Sequence, residues 1–400
     1  MRRDARVIGV IGMAHALSHF FQLILPPLFP LLRAEFDVSY ATLGALMSVF
    51  YVASGVCQFG AGFAVDRFGA RPVLLGGLAL LAGSVLVAGV APGVYWLFPL
   101  ALLMGLGNGV FHPADFAVMN ASVEPRRLGH AYSVHGIGGS LGYALAPLAS
   151  YGVGAIYGWR ASLLLFGALG LVAVGVLAMQ HAALKSRPHD PSAPKHTWKN
   201  SVELFSQTPI LLCFVYFAVV TIAGIGIQTF IGTSLHDAYG VTLVVAASAL
   251  TAYFIGSTVG ILAGGFLATR TSHHDRVAAT GLAAGALLML LLAAGPELAR
   301  WAVPLLFVTG FVLGATGPSR DMIVRNATPP GASGRVYGFV YSGLDLGATL
   351  SPVTIGLLLD HDAPRAAMVL IGVALLLAVA TVVRVRRGGR AVVPNARGAD

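Results

Sequence analysis

The sequence predicts an all-α membrane protein of twelve transmembrane helices arranged as two pseudo-symmetric six-helix bundles. Three observations predict it. Hydrophobic residues make up 56% of the 400 positions and charged residues only 10%, more apolar surface than a soluble core can enclose. The chain also repeats itself at an offset of 205, where Gly105, Gly109, Pro113, Gly129, Tyr132, Gly142 and Pro147 fall on Gly310, Gly314, Pro318, Gly334, Tyr337, Gly347 and Pro352. Two proline matches inside apolar stretches are hard to obtain by chance. Finally, of the 25 Lys and Arg residues, 20 lie at the termini or in joints after even-numbered spans, and only Arg33, Arg160, Arg300 and Arg365 lie in joints on the other side. That bias places both termini and the central loop in the cytoplasm.

Crossing about 30 Å of hydrocarbon takes roughly 20 apolar residues. Pro and Gly breaks and charged joints divide the chain into spans at 6–32, 39–65, 72–91, 95–123, 128–155, 159–181, 208–235, 241–268, 275–295, 299–327, 334–358 and 363–385. Span 1 follows Met-Arg-Arg, but its apolar stretch outruns the ~7–15 residues of a signal-peptide core and carries His15, His19 and Gln22. It reads as a retained helix. Arg67 and Arg71 close span 2, and Arg126 and Arg127 close span 4. The stretch 182–206, with Pro188, Pro191 and Pro194, is the one long polar linker. The domains are therefore an N-terminal bundle at 1–181, the linker at 182–206, a C-terminal bundle at 207–386 and a tail at 387–400.

This organisation excludes several functions. The net charge of +9 follows from scattered basic joints, and no separate basic domain is present to bind nucleic acid. Cys57 and Cys213 lie in spans of different halves and read as packing residues. The glycine pairs inside spans lack the Lys-Ser/Thr of a phosphate loop and read as close helix contacts. A membrane-embedded enzyme lacks support from any nucleophile–base motif.

At the end of span 2 the chain reads Gly62-Phe-Ala-Val-Asp66-Arg67-Phe-Gly69-Ala-Arg71. This resembles the signature loop of the major facilitator superfamily, and the second half keeps a worn copy, Gly265-Phe-Leu-Ala-Thr269-Arg270. Ala14-His15, Leu25-Pro26-Pro27-Leu28 and Gly107-Asn108-Gly109-Val110-Phe111-His112-Pro113 are similar to the fosmidomycin-resistance group of efflux proteins. The resemblance implies the major facilitator fold and alternating access, with two bundles rocking about a midplane site. It also implies that spans 1, 4, 7 and 10 line the cavity and that 2, 5, 8 and 11 meet between the halves. Gly62, Asp66, Arg67, Gly69 and Arg71 form the gate motif. Gly138, Gly142 and Pro147 in span 5 loosely match the antiporter pattern.

Charged residues at the centre of a span cost about 2.5–3.5 kcal/mol on insertion scales, so they face a cavity or a partner. Asp115, Arg320 and Asp345 stand out, and the offset places Asp115 on Arg320 and Ser140 on Asp345. A carboxyl that exchanges protons at that depth is what a proton-driven carrier needs. Asp345 or Asp115 is the expected proton site, with His135 as a relay; the other reading is a static ion pair with Arg320. His15, His19 and Gln22, spaced four and three apart, share one helix face. With Asn108 and His112 of span 4, Gln228 of span 7, Arg320 and Tyr341, they are the candidate substrate-binding residues, and they favour a small organic anion. Two His at i and i+4 with His112 and Asp115 also meet the spacing of a divalent-metal site, although no thiolate is near. The chemistry needs no resident metal or cofactor.

The function expected is proton-coupled export of a small organic compound across the inner membrane, by a monomer whose partners are its substrate, protons and the bilayer. Proton-symport uptake of an organic acid and divalent-metal transport are the alternative transport readings.

Overall fold

The computed structural model describes residues 2–124, 127–180, 204–329 and 333–391. Most of the linker 182–206, the end of the tail, and the side chains of Gly62, Asp66, Thr269, Gly334 and Tyr337 lie outside the described residues. The elements are α1 (Arg2–Gln22), a 3-10 turn (Pro26–Leu28), α2 (Phe29–Phe36), α3 (Tyr40–Phe68), α4 (Ala70–Ala88), α5 (Leu97–Gly109), α6 (Phe111–Ser122) and α7 (Leu128–Ala178) in the first half. The second half has α8 (Thr208–Tyr239), α9 (Leu243–Arg270), α10 (His274–Ala294), the short α11 (Pro296–Ala299), α12 (Ala302–Ala327), α13 (Ser333–Asp360) and α14 (Pro364–Ala391). No strand occurs among the described residues.

Among the described residues, eleven stretches are long and apolar enough to cross a membrane. One of them, Ala131–Ala178, has 48 residues; as a single helix it would be about 70 Å long, more than twice the hydrocarbon thickness. Gly158, at φ 85 and ψ 155, breaks it. It is two crossings, which brings the spans among the described residues to twelve. Two predicted spans are less regular than expected. Span 1 unwinds at Leu23–Leu25 before the Pro26–Leu28 turn and resumes as α2, because Pro26 and Pro27 cannot donate to the preceding turn. Span 4 is interrupted at Val110 between α5 and α6.

The repeat reappears as close helix packing. A Cβ on Gly105 would strike Phe50 O of α3, and one on Gly310 would strike Tyr253 O of α9. Gly142 lies against Ala16 O of α1 and Gly347 against Ala218 O of α8; Gly138 and Gly343, another pair at the same offset, meet Gly12 O and Phe214 O. Small residues let backbones approach where the bilayer offers no hydrophobic drive for association. Chain turns repeat as well. Asp37 (φ 48) and Gly240 (φ 67) end the first span of each half, and Gly158 (φ 85) and Asp362 (φ 54) follow the fifth. Ser39 and Thr242 then cap α3 and α9, their hydroxyls accepting from Thr42 N and Val245 N.

Spans 2, 5, 8 and 11 meet between the halves, α3 against α13 and α7 against α9. Gly44 packs on Pro352 O and Gly356 on Tyr40 O. Ser48 donates to Thr349 O at 2.6 Å, and Thr251 donates to Ala144 O at 2.8 Å. Tyr143 stacks on Phe254 with centroids 5.0 Å apart. The described inter-half contacts concentrate from mid-depth toward the end that carries Tyr40 and Asp360.

Candidate functional site

Two polar clusters lie inside the bundle, one in each half. In the first, α1, α6 and α7 converge. His15 and His19, one helical turn apart, place their rings 4.3 Å apart. His15 stacks on His135 of α7 at 3.6 Å, with His112 of α6 5.2 Å away. Gly139 makes this possible, since a Cβ there would lie 2.9 Å from His15 Nε2. Asp115, fully buried, joins the rings: its Oδ2 lies 3.0 Å from His135 Nε2 and 3.4 Å from His15 Nδ1. The His15 Nδ1 contact is too poorly aligned for a hydrogen bond, and Asp115 Oδ1 has no partner. His112 is exposed while His15 and His135 are buried. One ring nitrogen from each of these three imidazoles lies within 4.8 Å of the others. Below His19, Tyr143 packs edge-on at 4.2 Å, and Gln22 faces the hydroxyls of Tyr51 and Tyr143.

The second cluster surrounds Arg320 on α12. Its Nε donates to Asp321 Oδ1 at 3.1 Å, Tyr341 donates to the same oxygen at 3.1 Å, and its guanidinium lies over the Phe217 ring at 4.9 Å. Beside it is a cavity of about 240 Å³ lined by Tyr216, Gln228, Tyr253, Ser257, Thr316 and Arg320 among others. The Tyr216 hydroxyl and Gln228 Oε1 are buried with no hydrogen-bond partner. Buried polar atoms are rarely left so, and a cavity this size holds several waters or a small ligand.

The static Asp115–Arg320 pair does not form: among the described residues the ionic contacts of Asp115 are His15 and His135, and that of Arg320 is Asp321. Asn108 Nδ2 donates to Ser54 Oγ at 3.0 Å and ties α5 to α3. Asp345, half-buried on α13, has its Cγ 3.2 Å from where a Gly55 Cβ would stand, and no ion pair or hydrogen bond engages it among the described residues. In the gate motif, Gly69 (φ 85) makes the turn from α3 to α4. Arg67 is exposed over Phe68, and Arg71 donates to Ala178 O at 3.0 Å, where a cation suits the carbonyl end of α7.

A family model described as Major Facilitator Superfamily matches residues 11–247 and 212–399. The chain belongs to the major facilitator superfamily. Within this superfamily it is 25% identical over 372 residues to the fosmidomycin resistance protein of Escherichia coli (strain K12), covering 90% of this chain and 88% of that protein. The Membrane sensor protein UhpC of Salmonella typhimurium is 24% identical over 380 residues, covering 86% and 83%. Among solved structures, a bacterial homolog of the human lysosomal transporter Spinster, inward-facing and unoccupied, superposes with a TM-score of 0.78 at 16% identity, covering 97% of this chain and 98% of that one. The chain is thus a multi-pass membrane protein with the major facilitator fold, from a family of small-molecule carriers rather than enzymes.

One participant, Tyr143, escaped sequence reasoning, while Tyr216 reads from the sequence only as a hydrogen-bonding wall and Asp321 only as a gate or loop charge. Tyr143 carried a signal, because His135, Gly139 and Tyr143 recur every fourth residue and so share one face.

Proposed function

We propose that this protein is a proton-coupled exporter of a small organic anion in the inner membrane, working by alternating access as a monomer with both termini cytoplasmic. The observation that carries the reading is the Arg320 cavity, where a guanidinium and two unpartnered buried polar atoms face one space. A planar guanidinium recognises carboxylate or phosphoryl oxygens in a bidentate manner, while Tyr216 and Gln228 supply further hydrogen bonds. The basic residues gathered after even-numbered spans support the orientation. Similarity along most of the chain to a protein named for fosmidomycin resistance supports export.

The proton carrier in this reading is Asp345. It stands where α13 meets α3, against Gly55, without a counter-ion among the described residues. Burying a carboxylate there is costly and burying a carboxylic acid is not, so closure of the halves at mid-depth becomes linked to proton uptake.

Proteoliposomes with an acidic lumen, given external fosmidomycin, test this. Antiport fills the lumen with the compound as protons leave, and Arg320→Gln abolishes the filling. Emptying of preloaded vesicles under the same gradient establishes symport and overturns the export reading.

A further inference from the structure

Asp115 has no exposed surface, and among the described residues its ionic partners are imidazoles, with no Lys or Arg beside it. Oδ1 has no hydrogen bond, and neither do the buried Nδ1 atoms of His15, 3.4 Å from Asp115 Oδ2, and of His19. A buried carboxylate oxygen and imidazole nitrogens left without hydrogen bonds are the kind of donor set that a bound cation would satisfy. The nitrogens are also gathered: one from each of His15, His112 and His135 lies within 4.8 Å of the others. Around a tetrahedral zinc ion with bonds of 2.0–2.1 Å, ligand nitrogens stand about 3.3 Å apart, so the set closes when these nitrogens draw together by up to about 1.5 Å and the stacked rings of His15 and His135 turn toward one point.

We propose that His15, His112 and His135 bind one divalent transition-metal ion of the zinc, cobalt or nickel class, with Asp115 supplying the neutralising charge. Imidazole donors select this class over magnesium and calcium, which take oxygen ligands. The carboxylate acts as such groups commonly do beside metal-bound histidines, fixing ring orientation and tautomer from its contact with His135 Nε2. Three helices contribute one ligand each, and none of the three is confined by a disulfide, so the ion ties α1, α6 and α7 together. Entry is through His112, the one exposed ring of the set, placed by the interruption of span 4 at Val110. The site is separate from the Arg320 cavity and stands or falls without it.

The test uses the full chain purified in detergent with a tag that contains no histidine, stripped of metal by a chelator. Zn2+ binding is measured by competition with a chromophoric chelator, and Co2+ binding by its visible d–d absorption. The expected result is one saturable Zn2+ per chain, with Co2+ bands of tetrahedral or five-coordinate intensity and no effect of Mg2+ in excess. Asp115→Asn weakens Zn2+ binding about 10–100-fold. His112→Ala, at the exposed ring, keeps the melting profile of the stripped protein yet loses the site. His236→Ala, whose ring bonds Val241 O elsewhere, binds like the parent. Absence of a saturable site, or equal Zn2+ binding by His15→Ala, His112→Ala and His236→Ala, overturns the proposal.

Discussion

The carboxylate of Asp360, the last residue of α13, accepts hydrogen bonds from the backbone N–H groups of Tyr40 at 2.6 Å and Ala41 at 2.8 Å in the first turn of α3. One half of the protein thereby caps a helix of the other. The free N–H groups and positive end of a helix suit an anion, and the bond exists only while this end of the bundle is shut. Asp360→Asn, which removes the charge, should cost the closed state about 1–3 kcal/mol. Spin labels at Ala34→Cys and His361→Cys report this as a shift toward longer separations. An unchanged distance distribution would show that the clamp does not hold the halves.

Glycines at two interfaces should behave differently. Gly142 lies against Ala16 O within the first half, whereas Gly44 lies against Pro352 O between the halves. Overpacking of this kind costs about 1–3 kcal/mol. Gly142→Ala should therefore lower the melting temperature, and Gly44→Ala should instead lengthen the separation between the labels above. Gly136→Ala, with open space around the new methyl, should do neither.

At the Arg320 cavity the unpartnered hydroxyl of Tyr216 gives a clean test. In the free protein it has no hydrogen bond to lose, so Tyr216→Phe should leave thermal stability unchanged. If a ligand supplies the partner, its affinity falls by roughly 5–10-fold, the worth of one hydrogen bond. Arg320→Lys should fall further, because an ammonium neither stacks over Phe217 nor presents a planar fork. Thermal-shift titrations give both values.

Asp345→Asn should keep substrate exchange while losing the response to a pH gradient, since the amide mimics the protonated carboxyl permanently. Counterflow of a labelled substrate at equal pH on both sides should survive. Gradient-driven accumulation should vanish, and the dependence of exchange on pH should flatten. Intact gradient-driven flux in this variant would remove Asp345 from the coupling.

Much of this was legible from residue order. His15, His19 and Gln22 share a face by spacing alone, and Asp115 lies three residues from His112, so the polarity of one wall could be read directly. The convergence of those residues with His135 could not, because it depends on α7 crossing α1 closely enough for two rings to stack at 3.6 Å. Gly139 permits that approach, and in a chain with 50 glycines nothing marks this one. The equivalent turns at Asp37 and Gly240, and at Gly158 and Asp362, were equally hidden. There the repeat persists in the backbone while the side chains have changed.

By itself the sequence determined the bilayer as solvent, the number of crossings, the two-fold duplication and the bias of basic residues to one side. These follow from composition and period, which are local and additive properties of the chain. Only the tertiary structure decided which charges meet. Asp115 and Arg320 occupy matching positions of the repeat, yet each finds partners within its own half, imidazoles for one and Asp321 with the Phe217 ring for the other. Electrostatic and hydrogen-bond energies at this depth depend on a few ångströms of separation, and helix packing sets those separations.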